Sequence, residues 1–472
     1  MKKQTSHKET IRYCGEIDTG SGSIPVILLL EFDKYDFTSV SCEVTSVVAG
    51  RDSNRALDSV FTGHLDRPLI VKPRSEEAAI VRLHGIRGWR SDANSMSLDL
   101  AGFDINVSGV TLPIGWRVHA TVDLTSGKVL SKPRGVEYDR RGNVAQRFSY
   151  DDDVEWALPT GRGTAFLRYE SEKTQVERDE ATLLVCRPTI EFDLSIEEQI
   201  SLEDVAQRLE HDLMDVCLLL SLCGRRRIIW YQSSYLLIDA EQRPAHTREP
   251  ITRYAVFDRP AEGPRDELIR HEALTKGGFQ RLLDKFRTSR YREELKQVIL
   301  FLSSSQTADT IETSYFLCHA ALEALCNAIY SKELGHDLLS YDEWKKIESI
   351  LRQAIVNFAA ESGMAEFGEK ANARISDLKR VGARDRIISV CRHLGLGSTE
   401  IWPRVALETG LGRALQLRNE LFHAAKTADL QNLYVSLLRL RILTERLVLR
   451  VLDWPDDKIW WAYDQHLRHV SD

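Results

Sequence analysis

Arg418, Asn419 and His423 belong to one hexapeptide, Arg418-Asn419-Glu420-Leu421-Phe422-His423, and their types and spacing suit chemistry on a phosphodiester. The flanking segments ALQL and AAK predict that the stretch is helical. At about 100° per residue, Asn419 and His423 stack one turn apart, and Arg418 lies one strip round, over Phe422. The guanidinium is a rigid cationic fork that matches a phosphate, and the imidazole carries protons near neutral pH. Such a ridge can move protons and stabilise charge at phosphorus without a metal. The ordinary structural reading stands beside it, because arginine and histidine at this spacing also occur on solvated helix faces.

These residues sit in a chain of 472 residues, long enough for two or three domains. Its composition, 43% hydrophobic and 28% charged with 27 Gly and 13 Pro, is that of a globular protein. No apolar run approaches the roughly 20 residues of a membrane span; the longest, IPVILLLEF at 24–32, is strand-sized. The polar start MKKQTSHKET predicts no secretion signal, so a cytoplasmic location is expected. Eight cysteines without a CxxC pair fit neither a disulfide framework nor a zinc finger. Cys217, Cys223, Cys318 and Cys326 read as small core residues. The net charge of −7 argues against a surface coated in basic groups, yet residues 370–426 hold eleven Lys/Arg against five Asp/Glu. That block surrounds the hexapeptide and can concentrate a polyanion there; it reads equally as a set of solvated helix faces.

Residues 1–194 predict a β-rich domain, an antiparallel sandwich or barrel. Short apolar or alternating runs (Ile24–Phe32, Val40–Val48, Ala79–Ile86, Met96–Leu100, Trp116–Leu124, Thr164–Arg168, Leu183–Phe192) alternate with turn segments such as GSGS, AGRDSN, SDAN and TSGK. The segment 195–264 predicts a helix N-capped by Ser201 and ended by Gly224, then a strand in IIWYQSSYLLI, then a linker with four prolines in 243–266. Residues 265–472 predict a helical bundle with helices at Phe279–Leu302, Ile311–Lys332, Tyr341–Glu361, Arg384–Leu394, Arg413–Ala425 and Leu430–Leu452. The whole is an α+β multidomain chain.

Three features resemble the Apea-like proteins of the HEPN superfamily: the Arg-Asn-x3-His hexapeptide, the helix YFLCHAALEALCNAIY at 315–330 with Glu323, and the order of β-rich region, helix–strand insert and helices. The resemblance covers 265–455 well and 1–264 in outline. It implies an endoribonuclease that requires no metal or other cofactor, acts in abortive anti-phage defence, and cleaves cellular RNA, with tRNA one candidate substrate. Arg418 and His423 would be catalytic, Asn419 and Glu323 supporting, and Lys379, Arg380, Arg384, Arg413 and Lys426 contacts to RNA. Acid and base work needs two groups, which the family provides through a two-fold homodimer. The β-rich domain would be a sensor, with a phage protein as its trigger. Glu323 can face Arg418 and orient it; His319, one turn before, lacks a third ligand for a metal.

Two other classes remain open in the sequence. One is a non-catalytic HEPN-like module that binds RNA or protein through the same basic ridge. The other is a β-domain that binds a small molecule or glycan, with a helical dimerisation appendage. Trp89, Trp116 and Trp156 read as either core or recognition surface; Trp454, Trp460, Trp461 and Tyr463 can stack bases, but read first as a tail packed on the bundle. His393, at a helix end, reads as a partner of the helix dipole.

Overall fold

The computed structural model describes residues 8–20, 22–33, 36–48, 51–74, 79–92, 95–106, 109–127, 129–130, 137–138, 144–145, 153–176, 179–245, 249–256, 267–335, 340–379, 381–397, 401–424 and 429–459. The chain divides into two compact units, Met1–Leu283 and Asp284–Asp472.

The first unit contains sixteen strands and three helices among its described residues. In chain order these are β1 (Lys8–Asp18), β2 (Ser23–Asp33), β3 (Val40–Ser46), α1 (Arg51–Gly63), β4 (Leu69–Pro73), β5 (Ile80–Ser91), β6 (Ser95–Asn106), β7 (Thr111–Leu112) and β8 (Arg117–Leu124). Then follow β9 (Glu137–Tyr138), β10 (Val144–Ala145), β11 (Val154–Leu158), β12 (Gly161–Val176), β13 (Asp179–Ser195), β14 (Ile200–Ser201), α2 (Leu202–Cys223), β15 (Trp230–Ile238), β16 (Ile251–Tyr254) and α3 (His271–Leu274). Every strand pairing is antiparallel.

Strands β6, β3, β2, β1, β4 and β5 form a closed ring, because β5 also pairs with β6. Closure removes the unpaired edges that an open sheet of this size would leave. Alternation along β2 sends Val26, Leu28, Leu30 and Phe32 into one apolar core with Val44, Leu83 and Leu100. Helix α1 adds Leu57, Val60 and Phe61 to that core. Each fully buried Leu or Phe side chain contributes about 1.5–3 kcal/mol. The turn reading of AGRDSN therefore needs correction: Arg51 opens a helix whose apolar side the ring buries. The far half of β6 changes partner to β16, and from there β15, β8, β13, β12 and β11 continue the sheet. Gly102 permits the change, since a Cβ there would lie 2.6 Å from the Arg253 carbonyl oxygen.

Helix α2 follows the sequence expectation closely. The Ser201 hydroxyl accepts from the Asp204 N–H at 3.0 Å, and the helix closes at Gly224. The segment beyond it is more structured than a linker. β15 lies between β8 and β16 in the sheet, so 195–254 is built into the first unit. Arg253, within the proline-containing stretch, is fully buried between the rings of Phe32 and Tyr231 at 4.7 and 5.1 Å. Its guanidinium donates to Gln232 Oε1 at 2.6 Å and to the carbonyls of Asp33 and Asp36 at 2.8 Å each. Trp156 is core rather than recognition surface, edge-on to Phe192 and Phe279. Trp89 is half-buried and donates to Asp58 Oδ1 at 2.7 Å, and Trp116 is half-buried.

The boundary between the units falls inside α4 (Gly278–Thr288). The second unit continues with α5 (Arg292–Ser304), α6 (Ile311–Ile329), α7 (Tyr341–Ser362), α8 (Ala365–Arg374), α9 (Ala383–His393), α10 (Leu407–Ala424) and α11 (Leu430–Val451). The single helix expected at Phe279–Leu302 is two. The chain breaks between Thr288 and Arg292, where the Ser289 hydroxyl accepts from the Tyr291 N–H at 3.2 Å and competes with the helical bond. Helix α8 was not anticipated, and a π turn at Tyr330–Leu334 ends α6. Helix α6 is the hub, packed by α5, α9 and α11. Among the described residues, no helix is long and apolar enough to cross a membrane.

Candidate active site

The hexapeptide is helical, as expected: its backbone forms the last turns of α10. The chain enters this helix past Trp402, which is buried with its ring against Gly410. Leu411 and Ala414 face inward, and the Ala414 carbonyl accepts a 2.5 Å hydrogen bond from the Tyr315 hydroxyl on α6. Arg418 is one turn beyond Ala414, so it follows that inward face and is half-buried. Burial and the neighbouring Cys318 push the Tyr315 phenol up, against the opposing pull of the Arg418 cation.

Arg418 and Asn419 come together: Arg418 Nη1 donates to Asn419 Oδ1 at 3.2 Å. Asn419 is otherwise exposed. Glu420 is exposed and accepts from Gln416 Nε2 at 2.8 Å. The His423 backbone lies in α10; its side chain lies outside the described residues, as do that of Lys379 and all of Arg380 and Lys426.

Across from α10, α6 presents His319 and Glu323. The buried positions of α6 include Tyr315, Cys318, His319, Leu322, Leu325 and Cys326. His319 Nδ1 stands 3.5 Å from Glu323 Oε2, with His319 only 3% exposed and Glu323 half-buried. The His319 hydrogen bond holds the Glu323 carboxyl below its ordinary range; burial opposes this, and the charges of His319, Arg418 and Arg386 add to the lowering. Glu323 therefore lies in the field of Arg418, as its position on α6 suggested, while its nearest partner is His319. Sequence reasoning weighed His319 only as a metal ligand and missed Arg386 of α9. The i, i+4 spacing of His319 and Glu323 was the available signal. Among the described residues, no three His, Cys, Asp or Glu side chains are grouped to hold a metal ion.

The basic block is more dispersed than its linear count suggests. Arg384 lies along α10 beside Gly412 and donates to the Glu408 carbonyl at 2.9 Å. Arg392 donates to Glu408 Oε1 at 2.7 Å, and Lys370 pairs with Glu366 at 2.6 Å. Arg413 is exposed on α10. His393, in the last turn of α9, is exposed and 3.6 Å from Glu333 Oε2. Trp454 is buried; Trp460, Trp461 and Tyr463 lie outside the described residues. Cys217, Cys223, Cys318 and Cys326 are buried, and burial pushes the Cys217 thiol up to about 12.

The first unit carries a separate cleft of about 870 Å³ between the β11–β12 turn, the end of β13 and α2. Its lining combines Leu158, Leu194 and Leu209 with Glu197, Asp204 and Arg208.

Comparison of the chain with protein-family models, with curated proteins and with solved structures finds no match.

Proposed function

We propose that the chain is an endoribonuclease of the HEPN type, with its centre on α10 and its β-rich unit as the regulator. The observation that supports this reading best is the setting of Arg418. The cation sits in the field of Glu323, is bonded to Asn419, and belongs to the same helical segment as His423. In this reading the His423 imidazole takes the proton from a ribose 2′-hydroxyl, or gives one to the leaving 5′-oxygen. The Arg418 guanidinium stabilises the added negative charge as the 2′-oxygen bonds to phosphorus in line with the departing oxygen. Products are a 2′,3′-cyclic phosphate and a 5′-hydroxyl, and DNA, lacking the 2′-hydroxyl, survives. His319 and Glu323 are positioning residues that hold the arginine. Two His423 side chains from a two-fold homodimer supply the acid and the base. Arg384, Arg413, Lys379, Arg380 and Lys426 contribute attraction for the RNA backbone.

The biological setting that goes with this chemistry is abortive defence against phage in the cytoplasm, with the nuclease released by a phage product. The cleft in the β-rich unit is a place where such a signal can bind.

Induced expression of wild type, His423→Ala and Arg418→Ala, with growth and phage survival scored and RNA ends sequenced, tests the reading. Both variants should lose growth arrest and the new 5′-hydroxyl ends by at least about 100-fold, the scale of a lost acid–base group. RNA affinity of His423→Ala should stay within a few-fold of wild type. Folded variants that cleave like wild type would overturn the reading in favour of a binding module.

A further inference from the structure

The cleft on the first unit, about 870 Å³, has the size of a ligand site, roughly 300–1,000 Å³. Its lining is sorted by chemistry. Leu158, Leu194, Ile196, Val205 and Leu209 form an apolar side, and all five are buried in the unit. Beside them stand the carboxylates of Glu197, Glu198, Asp204 and Asp212 and the guanidinium of Arg208. With His211 neutral, four carboxylates against one guanidinium leave an excess of three negative charges. Arg208 Nη2 lies 3.2 Å from Glu198 Oε1, so its charge is already matched. Glu197 is exposed and, among the described residues, has no hydrogen-bond or ion-pair partner. A recess with apolar walls and charge of one sign concentrates ligands of the opposite sign. Helix α2 sets the order of these groups. Asp204, Arg208 and Asp212 recur at i, i+4 and i+8, next to the strip of Val205 and Leu209. Asp204 and Asp212 are therefore about 12 Å apart along the helix axis.

We propose that this cleft binds an extended peptide of a partner protein, with a basic, an apolar and a basic residue at alternate positions. In an extended chain, side chains i, i+2 and i+4 point to one side, and the outer two stand about 13 Å apart. That spacing sets Lys or Arg against Asp204 and Asp212 at once, with a Leu, Ile or Phe on Val205 and Leu209 between them. Glu197, just before the cap Ser201 in the chain, adds to the attraction. A single amine reaches one end and leaves the other unmatched, which favours a peptide over a small cation. An acidic peptide meets the excess of negative charge and is rejected. The same chemistry describes the signal suggested above for this cleft. That role rests on the ribonuclease reading, whereas peptide binding does not.

The full-length chain is titrated calorimetrically at pH 7 with the peptide Lys-Ser-Phe-Ser-Lys, capped at both ends. Kd should be about 100 μM or tighter at low salt and rise at least about fivefold in high salt. Glu-Ser-Phe-Ser-Glu and Lys-Ser-Ser-Ser-Lys should bind at least about tenfold more weakly. Glu197→Gln and Asp212→Asn should each weaken the basic peptide about two- to fivefold. Arg208→Glu, which removes the competing cation, should tighten it by about the same factor, a gain that a misfolded variant does not give. Lysine amide or phenylalanine amide binding as tightly as the pentapeptide would overturn the peptide in favour of a small amine. No binding at about 1 mM, equal affinity for the acidic peptide, or indifference to all three variants would overturn the proposal. Binding with these preferences that leaves RNA cleavage unchanged would support the cleft and overturn only its part in releasing the nuclease.

Discussion

Glu323 connects three elements through one carboxylate. His319 bonds it from its own helix, and Arg418 and Arg386 act on it from α10 and α9. Because its folded pKa lies below its ordinary value of 4.5, the carboxylate adds stability above that pH. That stability is lost as the pH falls through the lower, folded value. Glu323→Gln should therefore cost up to about 1 kcal/mol at pH 7, a figure kept small because the group is only half-buried. The difference from wild type in melting temperature should shrink as the pH falls below 4.5 and through the lower, folded pKa. A difference that stays constant from pH 7 to pH 3 would show that the Glu323 charge contributes nothing. If the chain cleaves RNA as proposed above, the same variant should lower cleavage less than Arg418→Ala, because in that proposal Glu323 acts through the arginine rather than on substrate.

Helix α10 owes its place to Gly410 as much as to its leucines. A Cβ at Gly410 would lie 2.5 Å from carbons of the buried Trp402 ring. Gly410→Ala gains about 1 kcal/mol of helix propensity and loses about 1–3 kcal/mol to overpacking. The net should be a lower urea midpoint, followed by tryptophan fluorescence. A raised midpoint would mean that Trp402 can move aside at little cost. Element boundaries divide in the same way between local and distant causes. The start of α2 was legible because the Ser201 cap is a local bond to Asp204. The break between α4 and α5 was harder to read, since the apolar spacing continues across it while serine bonding interrupts the backbone.

At the scale of the molecule, the first unit extends past the proline-containing stretch. Phe279 packs on Trp156 at 5.4 Å, and the Ala157 N–H donates to Gln280 Oε1 at 2.5 Å. A fragment ending at residue 264 would lose both contacts, together with the buried Leu268 and Leu282, and uncover Trp156, whereas one ending at 288 keeps them. The shorter fragment should melt at least about 5 °C lower or aggregate, on the scale of one lost aromatic side chain. Equal melting temperatures would show that α4 is dispensable to the β-rich unit.

The sequence alone determined what depends on neighbours along the chain. Strand alternation in IPVILLLEF, the Ser201 cap, the helical hexapeptide and the change from β-rich to helical composition all follow from local spacing and turn chemistry. It also brought Arg418 and Asn419 together, since they are adjacent on one helix. Ring closure of β5 on β6, the entry of β15 into the sheet, and the burial of Arg253 between Phe32 and Tyr231 came only with the tertiary structure. So did the gathering of His319, Glu323, Arg386 and Arg418 from three helices. Each of these joins residues far apart in the chain, where pairing is chosen by the burial of shared surface, and no local pattern records that choice.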